Sequence, residues 1–288
     1  MMGLTRQVCC MGLCLGSIVS FVPRPLQSVS AALVSTQRNQ NNEIHLQATH
    51  LQATYFEQIS QARRKPRRRG RYRSPDNVRI PQQDHSGGGV RGCGEEVVAM
   101  APRVSSIGQT AVTHPTFVWY SQSDSADPLE LQLYRYRSGL SAANDLERVF
   151  IRQVDDSRKG YMSYTLPADQ PGLKVGEIYL WQVVLYCDPN REEVGMWTSA
   201  DMEVVSASSE TVLATLENVA GNTLENAQIF AENGLWYEAI AAVYGANTSA
   251  EANLRRTLLQ DLIELESEVE ANQIEEIVDQ LQRVSEMN

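Results

Sequence analysis

Residues that carry chemistry are scarce in this 288-residue chain, which has four histidines. His45, His50 and His85 lie in the N-terminal third, and His114 stands before Pro115 at the start of a strand-like run. There is no His-Glu-x-x-His motif, no Cys-x-x-Cys pair and no Ser/His/Asp elbow motif. The commonest zinc and serine-nucleophile signatures are therefore missing. Ser86-Gly87-Gly88-Gly89 lacks the Lys-Ser or Lys-Thr of a phosphate loop, and no strand precedes it. Asp124 and Asp127 lack calcium-loop spacing and read as a solvated loop. No cofactor, metal site or enzymatic activity is expected. Long apolar runs are also lacking. The most apolar stretch, residues 8–22, contains Gly and Ser and ends at Pro23, short of the ~20 residues that span a bilayer.

That stretch reads instead as part of a secretory signal. Arg6 supplies the positive region, and Ser30-Ala31-Ala32 offers small residues for cleavage. Residues 1–32 are read as a signal peptide, which puts the mature chain in a periplasmic or secreted location, with no transmembrane span. Cys9, Cys10 and Cys14 leave with the signal, and Cys93 and Cys187 remain. In an oxidising compartment these two are expected to form a disulfide, against a competing reading as two buried free thiols.

Charge is divided unevenly. Residues 1–73 hold 11 Lys/Arg against Glu43 and Glu57, which leaves 14 of the 25 basic and 33 of the 35 acidic residues for the rest. Eight cations crowd into one run: Arg63, Arg64, Lys65, Arg67, Arg68, Arg69, Arg71 and Arg73. Pro66 and Gly70 interrupt helix, and self-repulsion extends the chain. Residues 33–92 are read as a disordered basic linker. Three roles compete for the run: contact with an anionic envelope surface, binding of nucleic acid, and folding back on the acidic body. Export argues against specific nucleic acid, and Tyr72 alone makes no stacking platform. The anionic surface is the favoured reading.

From Cys93 onward strand-like segments recur. Gly176–Cys187, GEIYLWQVVLYC, is the longest. One alternating set is Tyr179, Trp181, Val183, Leu185 and Cys187, so that face is expected to be core. A tyrosine just after the turn suits the corner of a fibronectin-type sandwich. The other strands are read at 96–101, 116–120, 129–137, 148–154, 161–166 and 196–205. Such spacing predicts an immunoglobulin/fibronectin-like antiparallel β-sandwich over residues 93–206. Residues 207–288 turn helical. Ala227, Phe230, Gly234, Trp236, Tyr237 and Ile240 suggest a TPR-like helical hairpin, and Thr248-Ser249-Ala250-Glu251 is a capping box. Trp236 and Tyr237 are read as hairpin packing, with a partner-contact role as the sharper alternative.

RGCG at 91–94, HPTFVWY at 114–120, YTLPADQPGLKVGEIYLWQVVLYC at 164–187 and NGLWYEAIAAV at 233–243 together resemble an uncharacterised cyanobacterial family, domain of unknown function 928. The resemblance covers residues from about 91 to about 244. It implies an exported protein with one Cys near the start of the domain and another after the tryptophan strand. It implies no activity. The reading from sequence is an exported, non-catalytic interaction or envelope-associated module, with a protein or an anionic envelope surface as its partner. A polysaccharide or small-ligand binder, and a hydrolase with an unrecognised site, are the alternatives.

Overall fold

A computed structural model describes residues 70–75, 79–81, 88–89, 96–123, 127–138, 145–154, 158–207, 209–218, 221–270 and 274–287. Nine strands fall in this part. They are β1 (Gly88–Gly89), β2 (Val97–Ala99), β3 (Gly108–Thr110), β4 (Thr116–Ser121), β5 (Leu129–Tyr136), β6 (Leu146–Val154), β7 (Gly160–Thr165), β8 (Ile178–Tyr186) and β9 (Val194–Val204). The larger sheet runs β1-β9-β8-β5-β6, with β3 also paired to β9, and the smaller runs β2-β4-β7. The protein is thus mainly β, with two sheets.

β8 lies at the middle of the larger sheet because its sequence can be buried on both faces. Tyr179, Trp181, Val183 and Leu185 enter the main core, as the alternation predicts. The opposite set is covered too: Ile178 and Leu180 join Ile107 and Tyr136 in a second, smaller cluster. At the entry to β8, Gly176 takes φ +85°, which favours glycine. The Tyr179 hydroxyl then accepts the Lys174 N–H at 3.0 Å and so fixes the corner. At the exit, the Asp188 carboxylate accepts N–H groups of Asn190, Glu192 and Glu193 at 2.8–3.0 Å, which tightens the turn into β9.

Two pairings depart from the sequence reading. β3 runs parallel to β9, so the larger sheet is mixed and not wholly antiparallel. β1, two glycines, pairs with Met196 and Trp197 of β9 from within the segment read as linker. Neither element is long enough to carry an alternating pattern.

Five helices follow: α1 (Glu210–Glu217), α2 (Thr223–Glu232), α3 (Trp236–Val243), α4 (Ser249–Ser267) and α5 (Ile274–Glu286). Ser209 and Asn222 cap α1 and α2, and Thr248 with Glu251 forms the capping box of α4. Gly234, at φ +78°, turns α2 into α3. Helix α3 is buried nearly all round and shares one hydrophobic core with both sheets. Trp236 donates its indole N–H to the Met100 carbonyl at 2.7 Å. The Tyr237 hydroxyl accepts from the Trp181 indole at 2.8 Å and donates to the Asp201 carbonyl at 3.2 Å.

Two buried carboxylates bind the helices to the loops around β3. Glu238 on α3 accepts from the Thr110 hydroxyl and the Ala111 N–H, each at 2.7 Å. Glu266 on α4 accepts from the N–H groups of Arg103, Val104 and Ser105 and from the Ser105 hydroxyl, at 2.7–3.2 Å. Burial pushes both carboxyl pKa values up, against the pull of these donors.

Candidate functional site

β6 and β7 follow one another in the chain but belong to different sheets. β6 ends the larger sheet and β7 ends the smaller, so among the described residues no ladder closes the sandwich between them. A groove of about 610 Å³ lies there, lined by residues 148–152 of β6, Tyr164 of β7, and Pro167, Asp169 and Gln170 beyond β7.

The register explains which side chains reach it. Leu131 and Leu133 of β5 are fully buried in the core, and they face Arg152 and Phe150 of β6. Phe150 and Arg152 therefore have inward parity on a strand that overhangs the smaller sheet. Between Phe150 and Arg148 the pairing skips Val149, a bulge that re-aims the strand. Phe150 stacks on Tyr164 with centroids 5.8 Å apart and planes tilted by 30°. The Arg152 guanidinium lies 5.9 Å from the Tyr164 ring centre, within cation–π range. At the far end, His114 Nε2 meets the Gln170 carbonyl at 3.1 Å and Gln170 donates its N–H to Pro167, which fixes the loop.

Charge sets the character of the groove. Arg135 and Arg137, further along the same sheet, are neutralised by Glu147 and Asp145. The Arg135 contact holds the Glu147 carboxyl below its usual range. Arg148 and Arg152 are exposed and have no ion pair among the described residues. Asp169 is the one carboxylate in the lining. The arrangement offers a cation, Arg152, on the same face as two stacked rings, a second cation, Arg148, at the rim beyond the bulge, and an open strand edge.

The residues singled out from sequence fall elsewhere. Arg63, Arg64, Lys65, Arg67, Arg68 and Arg69 lie outside the described residues, and so does Cys93. Cys187 follows β8, half-buried, with its N–H on the Glu193 carbonyl at 2.8 Å. Arg71 is engaged by the body: it pairs with Asp261 and, at 2.8 Å, with Glu264 of α4. Gly70 donates to Glu232 at 3.1 Å, Tyr72 to Asp261 at 2.7 Å, and Arg73 to the Ala231 carbonyl at 3.0 Å. The Tyr72 ring meets Trp236 edge-on at 4.9 Å. This end of the basic run is thus seated on α2 and α4, which corrects its assignment to a disordered linker. The reason is tertiary: a buried tyrosine and three carboxylates, Glu232, Asp261 and Glu264, offset the entropy of ordering a short segment. Trp236 and Tyr237 are 0% and 1% exposed, so the partner-contact alternative is corrected as well. Asp127 accepts from the Ser123 hydroxyl at 2.8 Å, and His114 serves the groove loop. Among the described residues no cluster of His, Cys, Asp and Glu suits a metal ion, and no helix is long and apolar enough to cross a membrane.

The groove was missed because the sequence marks β6 and β7 as strands without saying which sheet each joins. A signal was present. Arg152 stands between Phe150 and Val154 at core-facing parity, where a cation belongs only at an open rim.

A family model described as Domain of Unknown Function (DUF928) matches residues 86–277. No curated protein matches the chain. Solved structures give faint likenesses. One is a lytic polysaccharide monooxygenase important for efficient utilization of chitin in Cellvibrio japonicus: 11% identity over 34% of this chain and 54% of that one, with a TM-score of 0.25. Another is an LPMO from Kitasatospora papulosa: 13% identity, 36% and 53% covered, TM-score 0.25. A third is the third fibronectin III domain of human KIAA0343 protein: 12% identity, 42% and 98% covered, TM-score 0.22. The chain spans about half the length of the two monooxygenases. Likenesses this faint carry no inference about chemistry.

Proposed function

Since this chain belongs to the DUF928 family, over residues 86–277, and that name carries no activity, we propose a role from the groove: a non-catalytic binding module that holds an anionic partner between β6 and β7. The observation that supports it is the placing of Arg152 beside the stacked Phe150 and Tyr164 at the open side of the sandwich, with Arg148 at the rim of the same groove. Past residue 73 the chain is strongly acidic, so an exposed cationic groove focuses negative ligands there.

The remaining sequence readings belong to this proposal. The core is of the immunoglobulin/fibronectin kind, which the Tyr179 corner supports. The α2–α3 hairpin is TPR-like, with Gly234 at its turn. The module is exported to the periplasm or beyond, with residues 1–32 removed as a signal, Cys93 joined to Cys187, and the remaining cations of residues 63–69 on an anionic envelope surface. Amino-terminal sequencing of the mature protein and mass spectrometry without reductant test export and pairing. An intact Met1, or two alkylatable thiols, would refute them.

The groove itself is tested by fluorescence anisotropy of the full chain against labelled polyglutamate and polylysine. With the Lys and Arg of residues 63–69 replaced by Gln in every chain compared, polyglutamate should bind, more weakly as salt rises, and Arg148→Glu with Arg152→Glu should abolish the binding. Equal binding by wild type and the double variant would sink the reading.

A further inference from the structure

We propose that the partner is an acidic peptide segment in extended conformation, added as a further strand along the free edge of β6. This rests on the reading of the groove as a binding site and names its occupant.

The backbone supplies the first argument. At the other side of β5, Tyr186 donates its N–H to the Pro128 carbonyl at 2.9 Å. Hydrogen bonds alternate along an antiparallel strand, so Glu130 and Gln132 also turn their main chain to β8, and Leu129, Leu131 and Leu133 turn theirs to β6. The β6 partners of those leucines are Val154, Arg152 and Phe150. Ile151 and Gln153 therefore point their N–H and C=O groups away from β5. β6 is the last strand of its sheet among the described residues. It is nine residues long and offers a template for strand addition.

The side chains then select the occupant. A bulge and two arginines are devices that stop a sheet edge from pairing indiscriminately. Here they also define what the edge accepts. A second copy of the chain is disfavoured. Antiparallel self-pairing of residues 146–154 brings Arg148 and Arg152 of both copies to one edge, and the bulge at Val149 breaks the even register that such pairing needs. An acidic strand meets the opposite sign. Its alternate side chains divide between two faces: one face meets Arg152 and the stacked rings, and the other meets Ile151, which is 43% exposed. The matching pattern is acidic–apolar alternation.

The test uses the full-length protein and a labelled ten-residue peptide of alternating Glu and Val, read by fluorescence anisotropy. A Lys–Val repeat and a labelled oligouronate of ten sugars are the comparisons. The Glu–Val peptide is expected to bind and the Lys–Val peptide to fail. Arg152→Glu should weaken binding at least tenfold. Ile151→Pro should do the same with every charge retained, because it removes an edge-facing N–H and leaves the β5 ladder intact. Urea unfolding checks that this variant folds; if it does not, Gln153→Pro takes its place. Undiminished binding by the folded proline variant overturns strand addition. Binding of the oligouronate but not the peptide, lost in Arg152→Glu, overturns the peptide and leaves the groove reading standing. If Arg152→Glu alters binding of neither ligand, both fall.

Discussion

Replacing Glu266 by alanine should be among the most damaging single changes to this protein. Its carboxylate is 0% exposed and accepts from the N–H groups of Arg103, Val104 and Ser105 and the Ser105 hydroxyl. Arg103 and Ser106 around it are buried as well. Alanine leaves all four donors without that acceptor in a site closed by α4 and the β2–β3 loop. Each orphaned donor costs roughly 1–3 kcal/mol, but the costs are not additive, because water enters the space left by the side chain. A net cost of about 3–5 kcal/mol, equivalent to two or three donors left unsatisfied, is the expectation. For a body of this size that lowers Tm by roughly 6–20 °C. Urea unfolding followed by tryptophan fluorescence reads it as a lower midpoint at unchanged slope. Glu266→Gln keeps one acceptor oxygen and should cost about half as much. The exposed Glu268→Ala control should stay within about 0.5 kcal/mol of wild type. A cost below about 1 kcal/mol for Glu266→Ala, at unchanged slope, would show that these donors are solvated and the carboxylate is not a clamp.

Tyr237→Phe removes the acceptor of the buried Trp181 indole N–H. It should cost about 1–3 kcal/mol by the same assay, and a neutral result would mean that water replaces the hydroxyl. Asp188 titrates below its usual range, chiefly through the Glu193 N–H in the β8–β9 turn. A carboxyl lowered on folding stabilises above its unfolded pKa, and the gain is lost as pH falls through the folded value. Asp188→Asn should therefore flatten the acid side of the stability profile, measured as urea midpoints from about pH 7 down to about pH 3. An unchanged acid limb would show that the turn donors do not favour the ionised form.

Much of the local structure was legible, and for local reasons. The alternation of Tyr179, Trp181, Val183 and Leu185 needs only the period of a strand, and the capping box at Thr248 and Glu251 needs only neighbours three apart. β1 and β3 were missed, since two or three residues hold no period and β3 is parallel, made by a partner about ninety residues away. Tyr72 sits in a run of cations and reads as unfolded by composition. What docks it is Trp236, Asp261 and the Ala231 carbonyl, none within reach of a sequence window.

The sequence by itself determined where the longer strands and the helices fall, which faces are apolar, where charge is concentrated, and which common catalytic motifs are missing. These follow from periods of two and 3.6 residues and from counting. Tertiary structure alone decided that β6 and β7 join different sheets, that Arg152 stands at an open rim, and that Tyr72 docks against Trp236. Pairing between strands depends on which distant surfaces bury each other best, and that competition is settled over the whole chain at once.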